Sequence, residues 1–226
     1  MKCSVAIVLV ALLLLPLAGG VQAQEGQWLR QPYRFTVAVD GGFGMPLGPD
    51  EFKTLWNSSL PFSAAIGYVV IPQIEVRGWL TWGLWTISEN PAKAAINVQG
   101  VEGISGGSIT TLLYGGSVKV IPFPNSQLMP FVEVGGGAYR ASASDLELEN
   151  VLRNEMESAN GPILLTSGGL DYGINDSWNV YAKFNYYMSF DENFAPGDLV
   201  RGPSDPPTEG GSLQFSSIVL GLTLKI

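Results

Sequence analysis

The chain has 226 residues, only 14% of them charged, a net charge of −8, no histidine and one cysteine. Soluble proteins carry charge on roughly 25% of residues, so a surface that faces water throughout is not expected. With no basic stripe to displace the counterions of phosphate, a nucleic-acid partner is excluded, and without histidine so are Ser-His-Asp hydrolysis and His-ligated metal centres.

Residues 1–23, "MKCSVAIVLVALLLLPLAGGVQA", combine one lysine, an apolar run from Val5 to Leu17 and the small-residue pattern Val21-Gln22-Ala23. This reads as a secretory signal peptide cleaved after Ala23, because the run is short for a membrane span and ends in a processing site. Cys3 leaves with it, so the mature chain is expected to hold no thiol and no disulfide.

Eight alternating segments follow. In chain order they are "FTVAVDGGFG" from Phe35, "FSAAIGYVV" from Phe62, "IEVRGWLTWGLW" from Ile74, "TTLLYGGSVKV" from Thr110, "FVEVGGGAY" from Phe131, "LLTSGGLDYGI" from Leu164, "WNVYAKFNYYM" from Trp178 and "QFSSIVLGLTLKI" from Gln214. Successive side chains of a strand point to opposite faces, so each segment has one bulky apolar face and one small or polar face. The links alternate too. Residues 45–61, 87–106, 145–162 and 190–213 are long, whereas "IPQ", "PFPNSQLM" and "NDS" are short. That alternation predicts an all-β, antiparallel up-and-down barrel with every long loop at one end and both termini at the other.

The direction of the faces follows from size and charge. An eight-stranded barrel has room inside only for side chains, and the face carrying Gly67, Gly115, Gly135, Gly137, Gly169 and Gly221 suits that crowded interior. The opposite face is then expected to meet lipid, through Leu80, Trp82, Val132, Val134, Val180, Phe184, Ile218, Leu220, Leu222 and Leu224. Phe62, Trp82, Phe131, Trp178 and Tyr186 are placed as interfacial aromatics on this outer face. A soluble lipid-binding barrel would have the faces reversed.

The stretches "GPDEFKTLWNSSLPFSAAIGYVVIPQIEVRGWLTW", "PFVEVGGGAYR", "GGLDYGINDSWNVYAKFNYYMSF" and "IVLGLTLKI" resemble the small bacterial outer-membrane β-barrel proteins of the eight-stranded type. The resemblance implies a transmembrane barrel in the outer membrane over residues 33–226, with short periplasmic turns, long extracellular loops and a short periplasmic segment at 24–32. It also implies outer-membrane lipid as surroundings, and periplasmic chaperones and the barrel-insertion machinery as partners in biogenesis. The barrel is expected to be monomeric, without a cofactor, a periplasmic domain or enzymatic activity. Ile226 departs from the aromatic ending usual in the family.

Alternation places eight charges inside: Asp40, Glu75, Glu133 and Asp171 with Arg77, Lys119, Lys183 and Lys225. Counting from the short turns sets Lys119 opposite Glu133, and Asp171 opposite Tyr181 and diagonal to Lys183. Buried charges must be paired, so a polar plug is expected, with a narrow ion or small-solute path as the alternative. The long loops are acidic, with Asp145, Glu147, Glu149, Glu155 and Glu157 in one and Asp191, Glu192, Asp198, Asp205 and Glu209 in another. They offer a surface ligand a docking site, or a divalent cation weak oxygen ligands. Leu148, Val151, Leu152 and Met156 stand at helical spacing and predict a short amphipathic loop helix.

Overall fold

A computed structural model describes residues 33–48, 53, 56–87, 104–106, 108–143, 146–148, 152–154, 159–190 and 211–226. The signal peptide, the segment 24–32 and most of the acidic loop residues lie outside them.

Eight long strands close into an all-antiparallel barrel: β1 (Phe35–Gly48), β2 (Trp56–Ile71), β3 (Ile74–Ile87), β5 (Ser108–Val120), β6 (Leu128–Ala143), β9 (Ala159–Gly173), β10 (Trp178–Ser189) and β11 (Gln214–Lys225). Neighbours in sequence are neighbours in space, and β1 meets β11 from Thr36 opposite Lys225 to Gly48 opposite Gln214. The Ile226 carbonyl accepts from the Arg34 and Phe35 amides at 3.1 Å each, and the Ile226 amide donates to the Phe35 carbonyl at 2.8 Å. No ladder edge is left open along this seam.

Short-turn chemistry is local. In the β9–β10 turn Asn175 Oδ1 accepts the amides of Ser177 and Trp178, both at 2.9 Å. This side-chain mimic of a backbone turn is what an Asn at a turn start supplies.

Most strands reach further than the sequence pattern foretold, and in four of them the added stretch contains a proline. Pro46, Pro61, Pro130 and Pro162 lie outside the eight alternating segments, and proline cannot donate to a ladder. The barrel instead carries β1, β2, β6 and β9 through them. The register shifts between Pro46 and Gly48, and Pro130 and Pro162 lie near the starts of β6 and β9, whereas Pro61 stays in register with Gly83 inside β2.

Among the described residues, Leu148 and Leu152 of the predicted loop helix are not helical. Leu146–Leu148 and Leu152–Asn154 are strands β7 and β8, joined with β4 (Ile104–Gly106) in a three-stranded sheet of order β4-β7-β8. The pairing of Leu146 with Gly106 and of Leu148 with Ile104 supplies backbone partners from a second loop, and so outweighs the helical spacing.

Candidate functional site

The barrel interior is the candidate site, and strand alternation places all eight predicted charges on its wall. On β3, Arg77 Nε donates to Glu75 Oε1 at 3.0 Å, and Glu75 also accepts the Thr36 hydroxyl. A methyl group at Gly67 would collide with this carboxylate, so the glycine holds the space in which Glu75 lies. Lys183 Nζ stands 3.4 Å from Asp40 Oδ2, which also takes the Tyr181 hydroxyl at 2.7 Å.

The partner expected for Lys119 is replaced by another. Lys119 and Glu133 are opposite in register, yet the Lys119 ammonium donates to Asp171 Oδ2 at 2.6 Å, two strands away. Glu133 turns elsewhere, accepting the Ser117 hydroxyl at 2.5 Å and facing Arg77 Nη1 at 3.7 Å and Lys183 Nζ at 4.0 Å. On the concave side of so small a barrel, long side chains converge and reach across an intervening strand. Asp171 does lie opposite Tyr181, as counted from the turn. Lys119 also rests 4.1 Å from the centre of the Phe131 ring, a cation–π contact.

Phe131 itself corrects the expectation of an outer girdle position, since it is only 3% exposed inside the barrel. Its parity with Glu133 is the reason. A side chain at Gly169 would strike its ring, and one at Gly221 would strike the ring of Tyr181. These glycines therefore make room for large rings beside the charges.

Lys225 is set apart from the cluster. It lies half-buried at the short-turn rim, where a vestibule of about 480 Å³ opens beneath Glu75, Lys119 and Asp171. Among the described residues no acid lies within ion-pair distance of it.

Toward the long-loop end the interior changes character. Ser167 donates to Asn185 Oδ1 at 2.8 Å and Asn185 Nδ2 to Ser217 at 3.1 Å, while Thr81 donates to Ser63 at 3.0 Å. Beyond these lies an apolar core of Trp56, Trp79, Trp85, Leu113, Leu165, Tyr187 and Phe215 with their neighbours. Tyr187 stacks on Phe215 at 4.6 Å between ring centres, and Trp85 meets the Phe215 ring edge-on at 5.2 Å. Trp85 Nε1 donates to Thr111 Oγ1 at 3.1 Å, which satisfies its one polar atom. An interior of small polar groups was expected, and half of it is aromatic. Trp79 and Trp85 share the parity of Glu75 and Arg77, so the same alternation already marked them as inward.

The ten residues assigned to the outer face all point away from the lumen. Leu80, Trp82, Val134, Val180, Phe184, Ile218, Leu220 and Leu222 are exposed, and Val132 and Leu224 are half-buried on the same side. Phe62 and Trp82 stack at 6.3 Å on this surface.

No protein-family model matches the chain, and no curated protein does. Among solved structures, Neisserial surface protein A (NspA) superposes with a TM-score of 0.51 at 10% identity, covering 85% of this chain and 97% of that one. Ail of Yersinia pestis gives 0.49 at 11% identity with 86% and 99% covered, and the outer membrane protein OprG of Pseudomonas aeruginosa 0.46 at 14% with 87% and 98%. The likeness to NspA is one of fold: this chain forms a closed eight-stranded antiparallel barrel like those of small outer-membrane proteins.

Proposed function

We propose that the protein is an integral, monomeric component of a bacterial outer membrane, with a structural and surface-interaction role and a lumen closed to solutes. One observation carries the reading: an apolar exterior surrounds an interior occupied by ion pairs in one half and stacked aromatic rings in the other. A continuous band of exposed Leu, Ile, Val, Phe and Trp is stable against hydrocarbon and is an aggregation hazard in water. Inside, a permeant ion would have to displace buried charge partners and then pass a dry aromatic layer, where nothing replaces its hydration.

On this reading lipid surrounds the barrel, the insertion machinery and chaperones deliver it, and the acidic loops meet any surface ligand. Catalysis has no part in it. The test is reconstitution in planar bilayers together with extraction from cells. The expected result is recovery only with detergent and no unitary conductance above the lipid background. Stable ion-selective steps would replace it with the narrow-pore reading, and recovery in an aqueous periplasmic wash with a soluble carrier.

A further inference from the structure

Between the ionic layer and the aromatic layer lies a void of about 10 Å³, whose wall includes Asp40, Arg77, Trp79, Glu133, Tyr181 and Lys183. Four of these side chains each carry one buried polar atom that no hydrogen bond reaches: Asp40 Oδ1, Arg77 Nη2, Trp79 Nε1 and Glu133 Oε2. Buried polar atoms in native proteins are almost always satisfied, so four around one void call for a common partner.

Their chemistry divides evenly. Two are carboxylate oxygens, which accept, and two are N–H groups, which donate. A water molecule donates two hydrogen bonds and accepts two, so it matches the set. A void holds a water once its volume reaches roughly 10–15 Å³, about one probe sphere, and needs two to four polar partners. The volume reaches the lower end of that range, and four polar groups belong to residues of the wall.

Charge separates water from an ion of similar size. Asp40 and Glu133 contribute two negative charges to the wall, and Arg77 and Lys183 contribute two positive ones. A cation would lie against the guanidinium and ammonium groups, an anion against the carboxylates. A neutral guest avoids both repulsions. Separation points the same way, because Arg77 Nη1 and Lys183 Nζ stop 3.7 Å and 4.0 Å from Glu133 Oε2, beyond hydrogen-bond length. Polar contacts held just out of reach are the usual setting for a bridging water.

We infer that this void is a binding site for one ordered water, which donates to Asp40 and Glu133 and accepts from Arg77 and Trp79. The water joins the Asp40, Tyr181 and Lys183 group to the Glu75, Arg77 and Glu133 group in a single network. It depends on the fold alone and not on the membrane role proposed above.

The experiment is a high-resolution crystal structure of the refolded full-length barrel grown in rubidium bromide, combined with proton NMR of the tryptophan indoles in the same preparation. Trp79→Phe assigns the Trp79 indole signal. The expected density is one oxygen-sized peak within about 2.6–3.2 Å of at least three of the four atoms, without anomalous signal from rubidium or bromide. The Trp79 indole proton is expected to show a cross-peak to slowly exchanging water, which the Trp85 indole, already donating to Thr111, lacks. Anomalous signal at the site would make it an ion site instead. Direct pairing of the four atoms with one another, or a Trp79 indole without water contact, would overturn the inference.

Discussion

The Lys119 ammonium lies between the Asp171 carboxylate and the Phe131 ring, with the whole side chain almost out of reach of solvent. Removing one partner of such a pair leaves the other charged and desolvated, at a cost of about 3–5 kcal/mol. Lys119→Met is therefore expected to lower stability by that amount, and adding Asp171→Leu to recover most of it. Adding Glu133→Leu instead deepens the loss, because Glu133 answers to Arg77, Lys183 and Ser117. Urea unfolding in lipid vesicles, followed by tryptophan fluorescence, distinguishes the two double variants. At the other end of the lumen, Phe215→Ala opens a cavity between Tyr187 and Trp85 and should cost about 3–5 kcal/mol. Bilayers containing this variant should still show no conductance, since the ionic layer beneath is untouched.

At the scale of the strand, β11 states the two-faced design most plainly. Leu220, 68% exposed, faces outward between Ala182 on β10 and Gly41 on β1, while its neighbour Val219 is buried in the lumen. Arginine on the lipid side at mid-depth costs about 2–4 kcal/mol, so Leu220→Arg should reduce the heat-modifiable folded band on gels, whereas Gly211→Arg should leave it unchanged. Deleting residues 191–210 and joining β10 to β11 by a short turn should preserve that band, because loop-closure entropy varies slowly with length. Strand number, order and registers such as Lys119 opposite Glu133 were legible from period-two alternation and turn positions. Strand ends were not: every one of β1, β2, β6 and β9 runs on through a proline, a residue that cannot donate to the ladder. The β7–β8 pair was hidden because its backbone partner, β4, lies in a different loop.

For the whole molecule, the outward residues were legible because an apolar exterior leaves a simple period-two pattern. The interior was harder. Alternation gives a side chain its face but not its reach, so the charged residues were found while their partners were not, and the aromatic layer was missed although the same alternation sets Trp79 on the face of Glu75 and Arg77. Two stacked seals also make a joint prediction: Phe215→Ala combined with Lys183→Ala should conduct where neither single change does, measured in planar bilayers. A last consequence concerns assembly. Three ion pairs join β5 to β9, β3 to β6 and β1 to β10, each bridging over an intervening strand. A chain with seven of the eight strand pairings formed and the seam between β1 and β11 still open has not yet brought Asp40 to Lys183. In the membrane setting proposed above, that intermediate still holds two charges that need hydration. For that pair ring closure and charge neutralisation coincide, so closing the cylinder also completes its interior.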